Sequence, residues 1–486
     1  MPAKKHIVVI GAGFSGLSSA AYLARAGYKV TVLEKNAQPG GRAHTIRKDG
    51  FRFELGPSWY MMPDVFEEIG ADFEMPAPRV IRLDPSYRVY FSGGRQYDLS
   101  TAQKNLELFS QLEPGAGIEL ERFLAKSKQL YELARSNFLG DSYSKLSKLI
   151  QPSKMSALFR FPLFGSYHSK VEDHFQDPRL QQILEFMCVF LGAGAKNVPA
   201  MYTLLAHVDM NLGIWYPEGG FEGLVKYYEK LAKKQGAKIR YNQEVTSLEV
   251  RDERVSSVRV GKKRIACDAV VGATDYHHVE TKLLKQPWQT YTEKYWNKKT
   301  LSPSAVLINL GLDTKAPGLT HHNLFFDANW NEHFKAIKTA QITNEPLFYA
   351  CVPSKTDPKC APDGGENIFI LIPTANVGPS DQQLQELRQN VLIRLSERAQ
   401  IDVAKHIVSE DLCPTSYFGE MFNAYENNAF GLAHTLRQSA LLRPKIKSKK
   451  VKNLYYAGQF TNPGTGVPLC LLSGKVVSNL IAEEVV

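Results

Sequence analysis

Apolar positions near the start of the chain form a strand, turn, helix and strand in close succession. A short apolar run at residues 7–10 is followed by a glycine-rich turn, a stretch of small residues at helical spacing, and a second apolar run at 29–33. Apolar runs of this length, bounded by turn residues, are typical of parallel strands that are buried on both faces. The pattern predicts an α/β fold that opens with a β-α-β unit.

A second block, residues 217–275, predicts one helix and then several short strands. Leu224, Val225, Tyr228 and Leu231 recur at helical spacing, and Gly236 follows where a C-terminal cap belongs. Strands are predicted at 238–241, 244–250, 255–260 and 269–272. The last of these is wholly apolar, so we expect it to return to the sheet of the first block.

The end of the chain repeats the order of strand, loop and helix in YYAGQFTNPGTGVPLCLLSGKVVSNL, residues 455–480. Pro468 suits the first helical turn, where its missing N–H is not needed. Leu469, Leu472, Val476 and Leu480 then form one apolar stripe. This arrangement usually builds a ligand site, and here it stands at the opposite end of the chain from the first.

Composition narrows the possible partners. The 486 residues exceed what one hydrophobic core supports, and 44% are hydrophobic, as in ordinary globular proteins. The net charge of +10 fits nucleic acid, an anionic membrane face or an acidic cofactor, but no nucleic-acid-binding motif accompanies it. Six cysteines lack any zinc-ligand spacing, so no metal site is predicted and a reducing cytoplasm is expected. Neither a signal peptide nor a membrane span is predicted.

The first turn carries a dinucleotide-binding motif. Gly11, Gly13 and Gly16 have the G-x-G-x-x-G spacing, which permits a tight turn, close approach of a pyrophosphate, and close packing of helix on strand. Glu34 ends the second strand, where its carboxylate can accept hydrogen bonds from ribose hydroxyls. Strand, helix and acid together predict a dinucleotide site.

The residues that follow favour FAD over NAD. Gly40, Gly41 and Arg42 come directly after the second strand, whereas a nicotinamide domain would continue into another β-α unit. Arg42 provides a fixed positive charge for the pyrophosphate or the flavin edge. The alternative for Arg42 is a surface ion pair with Glu54 or Asp49.

These motifs resemble a known group. VVIGAGFSGLSSAAYLARAGYKVTVLEKNAQPGGR is similar to the N-terminus of the flavin-dependent amine oxidase and phytoene desaturase superfamily, and residues 443–475 resemble the closing signature of bacterial-type carotenoid desaturases. The residues that match this signature are Arg443, Pro444, Pro463, Gly464, Gly466 and Pro468. Asn462 departs from it, because most members carry His there. PLCLLSGK most resembles the branch that desaturates carotenoid ends, including 3,4-desaturases.

The resemblance implies a Rossmann-like FAD-binding domain in three segments, 1–60, 215–276 and 440–486, with 61–214 and 277–439 forming an α+β substrate domain. The motifs and the resemblance together predict FAD contacts from Gly11, Ala12, Gly13, Phe14, Ser15, Gly16, Glu34, Lys35, Gly41, Arg42, Gly56, Pro57, Ser58, Val245, Gly458, Gln459, Gly466, Val467 and Pro468.

The implied activity is FAD-dependent desaturation of a carotenoid, with a hydride passing to flavin N5. The substrate would be of the γ-carotene or 1-hydroxycarotenoid type for a 3,4-desaturase. The alternatives are a carotenoid isomerase, a retinol saturase-like or amine oxidase-like flavoenzyme, and a prenyl-binding protein without enzymatic activity on the same scaffold.

No spacing identifies a catalytic residue. His277 and His278 follow the returning strand but are more simply loop residues with satisfied hydrogen bonds. Four aromatic residues flank the joins between domains and either line the substrate path or pack in the core: Trp59, Tyr60, Trp215 and Tyr216.

Residues 142–171 contain no acidic residue. Lysine and arginine alternate there with aliphatic and aromatic residues, which we expect to be exposed. Such a mixture suits the lipid headgroup boundary, although a core helix pair with solvated lysines is the alternative. We expect a cytoplasmic protein associated peripherally with the inner face of the membrane. A second basic cluster, Arg437 and 443–452, is expected to be a solvated face.

Overall fold

The computed structural model describes residues 4–142, 151–162, 164–439 and 442–485. The basic and apolar residues at 143–150, together with Leu163, therefore lie outside the described residues. Within the described part of the chain, no helix is both long enough and apolar enough to cross a membrane.

The strands, in chain order, are β1 His6–Ile10, β2 Lys29–Leu33, β3 Thr45–Lys48, β4 Phe51–Glu54, β5 Val80–Arg82, β6 Tyr87–Phe91, β7 Gln96–Leu99, β8 Trp215–Pro217, β9 Lys238–Arg240, β10 Val245–Arg251, β11 Arg254–Val260, β12 Lys263–Ala266, β13 Ala269–Gly272, β14 Ser304–Leu312, β15 His322–Phe326, β16 Phe348–Cys351, β17 Glu366–Thr374, β18 Ile407–Cys413 and β19 Leu454–Tyr456.

The α-helices are α1 Phe14–Arg25, α2 Pro63–Asp72, α3 Ala102–Leu112, α4 Ala116–Asn137, α5 Pro152–Arg160, α6 Tyr167–Glu172, α7 Pro178–Glu185, α8 Leu204–Ala206, α9 Gly220–Lys234, α10 Tyr276–His278, α11 Glu293–Trp296, α12 Trp330–Lys338, α13 Asp381–Ala399, α14 Ser416–Phe422 and α15 Val467–Glu484. A π-helical turn, His207–Asn211, follows α8.

A five-stranded parallel sheet, in the order β19-β13-β1-β2-β9, confirms the predicted α/β fold. Val8 on the central strand pairs with Thr31 on one side and Val270 on the other, and all three are buried. The strand predicted at 269–272 therefore does return to the first sheet, as its apolar sequence indicated. Strand β19 adds the C-terminal segment at one edge.

The first and last helices pack closely against each other because both have small residues at the contact. A side chain at Gly474 of α15 would place its Cβ 2.7 Å from Ser18 Cβ and 2.7 Å from the Ser19 backbone nitrogen. Three residues of the predicted stripe on α15 are buried and Leu469 is only partly buried, whereas Leu471, Val477 and Ile481, outside the stripe, are buried as well. The reason is that α15 contacts both α1 and α2, and the periodicity of the sequence does not show that two elements cover this helix.

The second domain contains a seven-stranded mixed sheet in the order β18-β14-β17-β16-β15-β6-β7. Among the described residues of this sheet, β15 and β6 pair in parallel and the other neighbouring strands pair antiparallel. Its strand β14 is buried along its whole length. This architecture agrees with the α+β substrate domain that was predicted, although the exact boundaries remain predictions. Helix α2, for example, adds Phe66 to the same apolar cluster as residues of α1 and α15.

Candidate functional site

A cavity of about 740 Å³ begins at the carboxyl ends of the parallel strands and extends into the second domain. Its lining includes the residues directly after four strands of the sheet: Gly11, Glu34, Ala273 and Ala457. Ligands of open parallel sheets bind at this edge. The volume lies in the upper part of the usual range for small-molecule sites, roughly 300–1,000 Å³.

The cavity brings together most residues predicted to contact FAD, from all three segments. Those that line it are Gly11, Gly13, Phe14, Ser15, Glu34, Lys35, Gly41, Arg42, Gly56, Pro57, Ser58, Val245, Gly458, Gln459, Gly466, Val467 and Pro468. Their assignment as FAD contacts remains a prediction.

Two residues predicted to contact FAD, Ala12 and Gly16, do not line the cavity but lie next to residues that do. The Ala12 backbone N–H donates to Glu34 Oε2 over 2.7 Å, and so helps to fix the carboxylate. A Cβ at Gly16 would lie 2.0 Å from the Gly11 carbonyl oxygen, so only glycine allows the helix to pack on the turn. Both residues shape the site through packing and hydrogen bonding.

Glu34 is buried at the end of β2 and holds its carboxylate in a defined orientation. Its Oε1 accepts a 2.9 Å hydrogen bond from the Asn36 backbone N–H, in addition to the bond from Ala12. Burial raises the pKa of Glu34, and the two N–H donors oppose that shift. An acceptor that is fixed at this position fits a ribose hydroxyl.

Arg42 lines the site with its side chain 25% exposed, and it forms neither the ion pair with Glu54 nor the one with Asp49. Its Nη2 lies 4.0 Å from Asp275 Oδ2 and donates to the Asn428 carbonyl oxygen at 3.3 Å. Its Nε has no hydrogen-bond partner in the described part of the chain. Burial lowers the pKa of Arg42, and Asp275 opposes this. A half-buried guanidinium with a donor that has no partner among the described residues fits an anionic group or a carbonyl edge.

Arg443 corrects the expectation of a solvated basic face. It is 2% exposed, and its guanidinium donates to the carbonyl oxygens of Gln459 and Thr461 in the terminal loop, the latter at 3.2 Å. Burial lowers the pKa of Arg443 to about 10. The arginine therefore braces the loop that leads into α15. Elsewhere in the cluster, Lys447 and Lys452 pair with acidic residues at the surface, as was expected.

His434 is a cavity residue that the sequence analysis missed. Its Nδ1 lies 3.1 Å from the Leu191 carbonyl oxygen, and burial beside Arg443 lowers its pKa well below the usual value. A Cβ at Gly464 (φ +134°) would lie 2.7 Å from His434 Nε2. The imidazole therefore packs directly on the terminal loop, two residues from Asn462, which also lines the cavity. No spacing in the sequence links a histidine at 434 to this loop.

The two histidines after β13 have different positions. His277 Nε2 lies 2.8 Å from Glu293 Oε2, and its ring stacks on Tyr425 with centroids 3.8 Å apart, so its hydrogen bonding is satisfied as expected. His278 lines the cavity. Burial and the nearby charge of Lys35 lower the pKa of His278 to about 4, so its imidazole is neutral at physiological pH.

Of the four aromatic residues at the domain joins, Trp59 lines the cavity. Its indole stacks on His322 with centroids 4.3 Å apart. Tyr60 and Tyr216 are buried within the apolar clusters, and Trp215 packs against one of them. Core packing, one of the two alternatives, therefore accounts for three of the four.

Ligand-type atoms of His321, His322 and Cys351 lie within 4.8 Å of one another, a grouping that the sequence analysis did not find. The Nδ1 atoms of the two histidines approach hydroxyl groups, on Thr356 at 2.7 Å and on Tyr349 at 2.6 Å. The Tyr349 hydroxyl also lies 2.9 Å from Ser58 Oγ. These contacts connect the cavity wall to the buried face of β15.

Comparisons with known proteins agree with this arrangement. The sequence profile of the flavin containing amine oxidoreductases matches residues 14–482. A carotenoid 3,4-desaturase from Haloarcula japonica is 41% identical over 99% of each chain, and a 4,4'-diapolycopene oxygenase from Methylomonas sp. is 31% identical over 99% of this chain and 98% of its own. An oxidoreductase structure from Methanosarcina mazei has a TM-score of 0.65 at 17% identity, covering 96% of this chain and 98% of its own.

The residues present fit FAD. A phosphate group can approach the turn at Gly11 and Gly13, Glu34 offers a fixed acceptor for the ribose, and Arg42 offers unused donors further along the cavity. These residues come from a motif at one end of the chain and face a loop from the other end. The chain therefore belongs to the flavin containing amine oxidoreductase family, in the same group as the carotenoid desaturases, and is an FAD-dependent oxidoreductase.

Proposed function

We propose that this protein introduces carbon–carbon double bonds into a carotenoid, by 3,4-desaturation of a γ-carotene or 1-hydroxycarotenoid type of substrate. The observation that carries the proposal is the continuity of the cavity. The same cavity that contains the dinucleotide motif is lined further along by apolar side chains such as Leu205, Phe326 and Leu371. A long hydrocarbon would be desolvated there at low cost.

Desaturation removes hydrogen from two adjacent carbons that are not acidic. FAD, when bound, would supply the oxidation step by accepting a hydride. The protein residues then orient the substrate, exclude water and provide charge. Arg42, braced by Asp275 and Asn428, would hold the electronegative edge of the cofactor. Apolar walls around Trp59 would exclude water from the reacting carbons.

We propose His434 as the acceptor of the second hydrogen, released as a proton; His278 is a second neutral imidazole that lines the same cavity. His434 is a buried, neutral imidazole in the cavity wall, and it packs on the loop where Asn462 replaces the usual His. The Leu191 carbonyl can only accept a hydrogen bond, so it holds the ring proton on Nδ1 and leaves the Nε2 lone pair as an acceptor.

The test is expression in cells that supply phytoene, neurosporene, γ-carotene or their 1-hydroxy derivatives, followed by pigment analysis. The proposal expects one of these pigments to gain a double bond at the 3,4 position. Oxidation of an amine with no change in any pigment would instead support the amine oxidase alternative. Purified protein that has no flavin absorbance after reconstitution would support the non-enzymatic prenyl-binding alternative.

We further propose that the protein docks peripherally on a membrane, with the cavity opening toward the lipid. Three apolar residues that line the cavity are also exposed to solvent: Leu158 at 38%, Leu436 at 63% and Leu442 at 59%. Arg437, also exposed, stands between two of them in the sequence. Apolar side chains beside a cation suit the lipid headgroup boundary, and a lipid-dissolved substrate would enter there.

A further inference from the structure

Two histidines at the beginning of β15 lie beside a cysteine of β16 in the interior of the protein. His322 is directly opposite Cys351 in the antiparallel ladder, and His321 immediately precedes the strand. One ligand-type atom from each of the three residues lies within 4.8 Å of the other two. All three residues are 5% exposed or less. The proposed desaturation reaction assigns no role to any of them.

Both imidazoles are neutral and share one hydrogen-bonding pattern. Burial lowers the pKa of His321 to about 3 and the pKa of His322 well below its usual value. On each ring Nδ1 contacts a hydroxyl group, on Thr356 at 2.7 Å and on Tyr349 at 2.6 Å. On each ring Nε2 is buried and has no hydrogen-bond partner in the part of the chain that the structure describes. Each ring therefore has one nitrogen that the protein holds and one that is available to a ligand.

The Tyr349 hydroxyl links His322 with Cys351. Burial raises the pKa of the Cys351 thiol, and a hydrogen bond from Tyr349 opposes that shift, so the hydroxyl hydrogen stabilises the thiolate. When Tyr349 donates to the sulfur, His322 Nδ1 must be the donor in its contact with the hydroxyl oxygen, which leaves a lone pair on Nε2. Histidine ligands of protein-bound metal ions are oriented in this way, by a hydrogen bond from the other ring nitrogen.

We propose that His321, His322 and Cys351 bind one Zn²⁺ ion through two imidazole nitrogens and one thiolate. Imidazole and thiolate ligands favour zinc over magnesium or calcium, which prefer oxygen. As the zinc–sulfur bond forms, the Cys351 proton leaves to solvent and no electron is transferred. Zinc–ligand bonds of about 2.0–2.3 Å place tetrahedral ligand atoms up to roughly 3.8 Å apart, so the group must contract by about 1 Å at most.

The ion would stabilise the cavity wall and take no part in the reaction. Trp59, which lines the cavity, stacks on His322 with centroids 4.3 Å apart, and Ser58 Oγ lies 2.9 Å from the Tyr349 hydroxyl. Both residues belong to the segment after β4, whereas the zinc ligands belong to β15, its preceding residue and β16. An ion that fixes His322 and Cys351 would therefore fix this segment against the second sheet. The proposal goes beyond the proposed function and does not depend on the substrate.

The test uses the full-length, FAD-loaded protein without an affinity tag, after dialysis against a chelator. Co²⁺ is the spectroscopic probe for the zinc site, because a cobalt–thiolate bond gives a charge-transfer band in the near ultraviolet. We expect one Co²⁺ ion per chain, the thiolate band, and displacement of the cobalt by Zn²⁺. Zn²⁺ should also raise the melting temperature of the wild type, since a ligand that binds only the folded state stabilises it.

Two variants and a matched control assign the ligands. C351S should lose the thiolate band and bind Zn²⁺ about 100-fold more weakly or worse, because even the outer hydrogen-bond partners of a metal site contribute about 10- to 100-fold. H321Q should keep the band but weaken Zn²⁺ binding by a similar factor. C413S changes another buried cysteine, on β18, and should behave as the wild type does.

Flavin absorbance and the melting temperature without metal establish that each variant is folded. A wild-type protein that binds neither Co²⁺ nor Zn²⁺ at micromolar concentration would overturn the proposal. A thiolate band that survives in C351S would overturn it as well. If C351S does not fold, H321Q decides, since an unchanged affinity for Zn²⁺ in that variant would exclude the proposed ligand set.

Discussion

The Ser18 hydroxyl donates a 2.7 Å hydrogen bond to the carbonyl oxygen of Leu471, a residue 453 positions away, and so joins the first helix to the last. On the same last helix, Ser473 Oγ accepts from the Gly458 backbone N–H of the terminal loop at 2.8 Å. The contact fixes the terminal loop relative to the dinucleotide turn. The two halves of the cofactor site therefore depend on one helix–helix interface.

The first prediction concerns the close approach at Gly474. The substitution G474V should destabilise the protein by roughly 1–3 kcal/mol, because the new side chain collides with Ser18 and Ser19. Thermal unfolding in the presence of excess FAD, together with FAD titration, measures the effect, and we expect weaker FAD affinity as well. G140A is the control, since a Cβ at that position meets no atom within 4 Å. Equal melting temperatures for G474V and wild type would contradict the predicted role of this interface.

The second prediction concerns Glu34. The substitution E34Q keeps the shape of the side chain but removes the charge that strengthens hydrogen bonds to ribose hydroxyls. We expect FAD affinity to fall about 10- to 100-fold, corresponding to ~1.5–3 kcal/mol for a charge-assisted hydrogen bond. Equilibrium titration followed by flavin fluorescence measures it. Glu244, which is exposed and also lines the cavity, provides the control E244Q. Unchanged affinity in E34Q would show that the carboxylate does not contact the cofactor.

The third prediction concerns Arg443. The substitution R443M leaves the carbonyl groups of Gln459 and Thr461 buried without a donor, which costs ~1–3 kcal/mol for each unsatisfied group. Urea unfolding should shift to a lower midpoint, and bound flavin should be released earlier in the titration than from wild type. The matched control is R437M, at an exposed arginine of the same basic cluster. If R443M and R437M unfold alike, Arg443 does not brace the loop.

The fourth prediction concerns the pH dependence of stability. Asp209 is buried in the π-helical turn, its Oδ2 accepts a 2.8 Å hydrogen bond from the Tyr87 hydroxyl, and burial raises its pKa to about 7. Because this pKa is higher in the folded state, the contribution of Asp209 is fully present below about pH 4 and is lost as the pH rises through about 7.

The substitution D209N removes this dependence. Relative to wild type, D209N should become more stable as the pH increases from 5 to 8, by roughly 3 kcal/mol, with most of the change between pH 5 and about 7. Urea unfolding at several pH values measures the difference, with D363N at an exposed loop position as the control. A constant difference between D209N and wild type across this pH range would mean that Asp209 does not titrate as stated.

The fifth prediction concerns the exposed rim. The double variant L436S/L442S should bind vesicles containing phosphatidylglycerol at least 10-fold more weakly than wild type, because insertion of each leucine is worth about 1.5–3 kcal/mol. Flotation of protein with vesicles measures binding. The control is V377S, at a valine that is 80% exposed away from the cavity lining. Equal loss in V377S would indicate nonspecific adsorption.

Local sequence was sufficient for the first β-α-β unit and the C-terminal strand–loop–helix. The turn at Gly11 and the helix start after it depend on residues within a few positions, and their backbone requirements appear directly in the sequence. Arg443 was less predictable. Its neighbours are lysines, so the sequence predicts a solvated basic cluster, yet the Arg443 guanidinium is buried against carbonyl groups of a loop that starts fifteen residues later. Local charge composition does not report which cation folds inward.

The sequence by itself determined the α/β fold, the dinucleotide site and the choice of FAD, because glycines, short buried strands and an acid at a strand end act over short distances. Tertiary structure alone decided the rest of the site. It placed the His434 imidazole against the terminal loop and buried the Arg443 guanidinium against two carbonyl groups of that loop. Such features depend on which segments meet in space and on how burial changes protonation, and neither is encoded in the spacing along the chain.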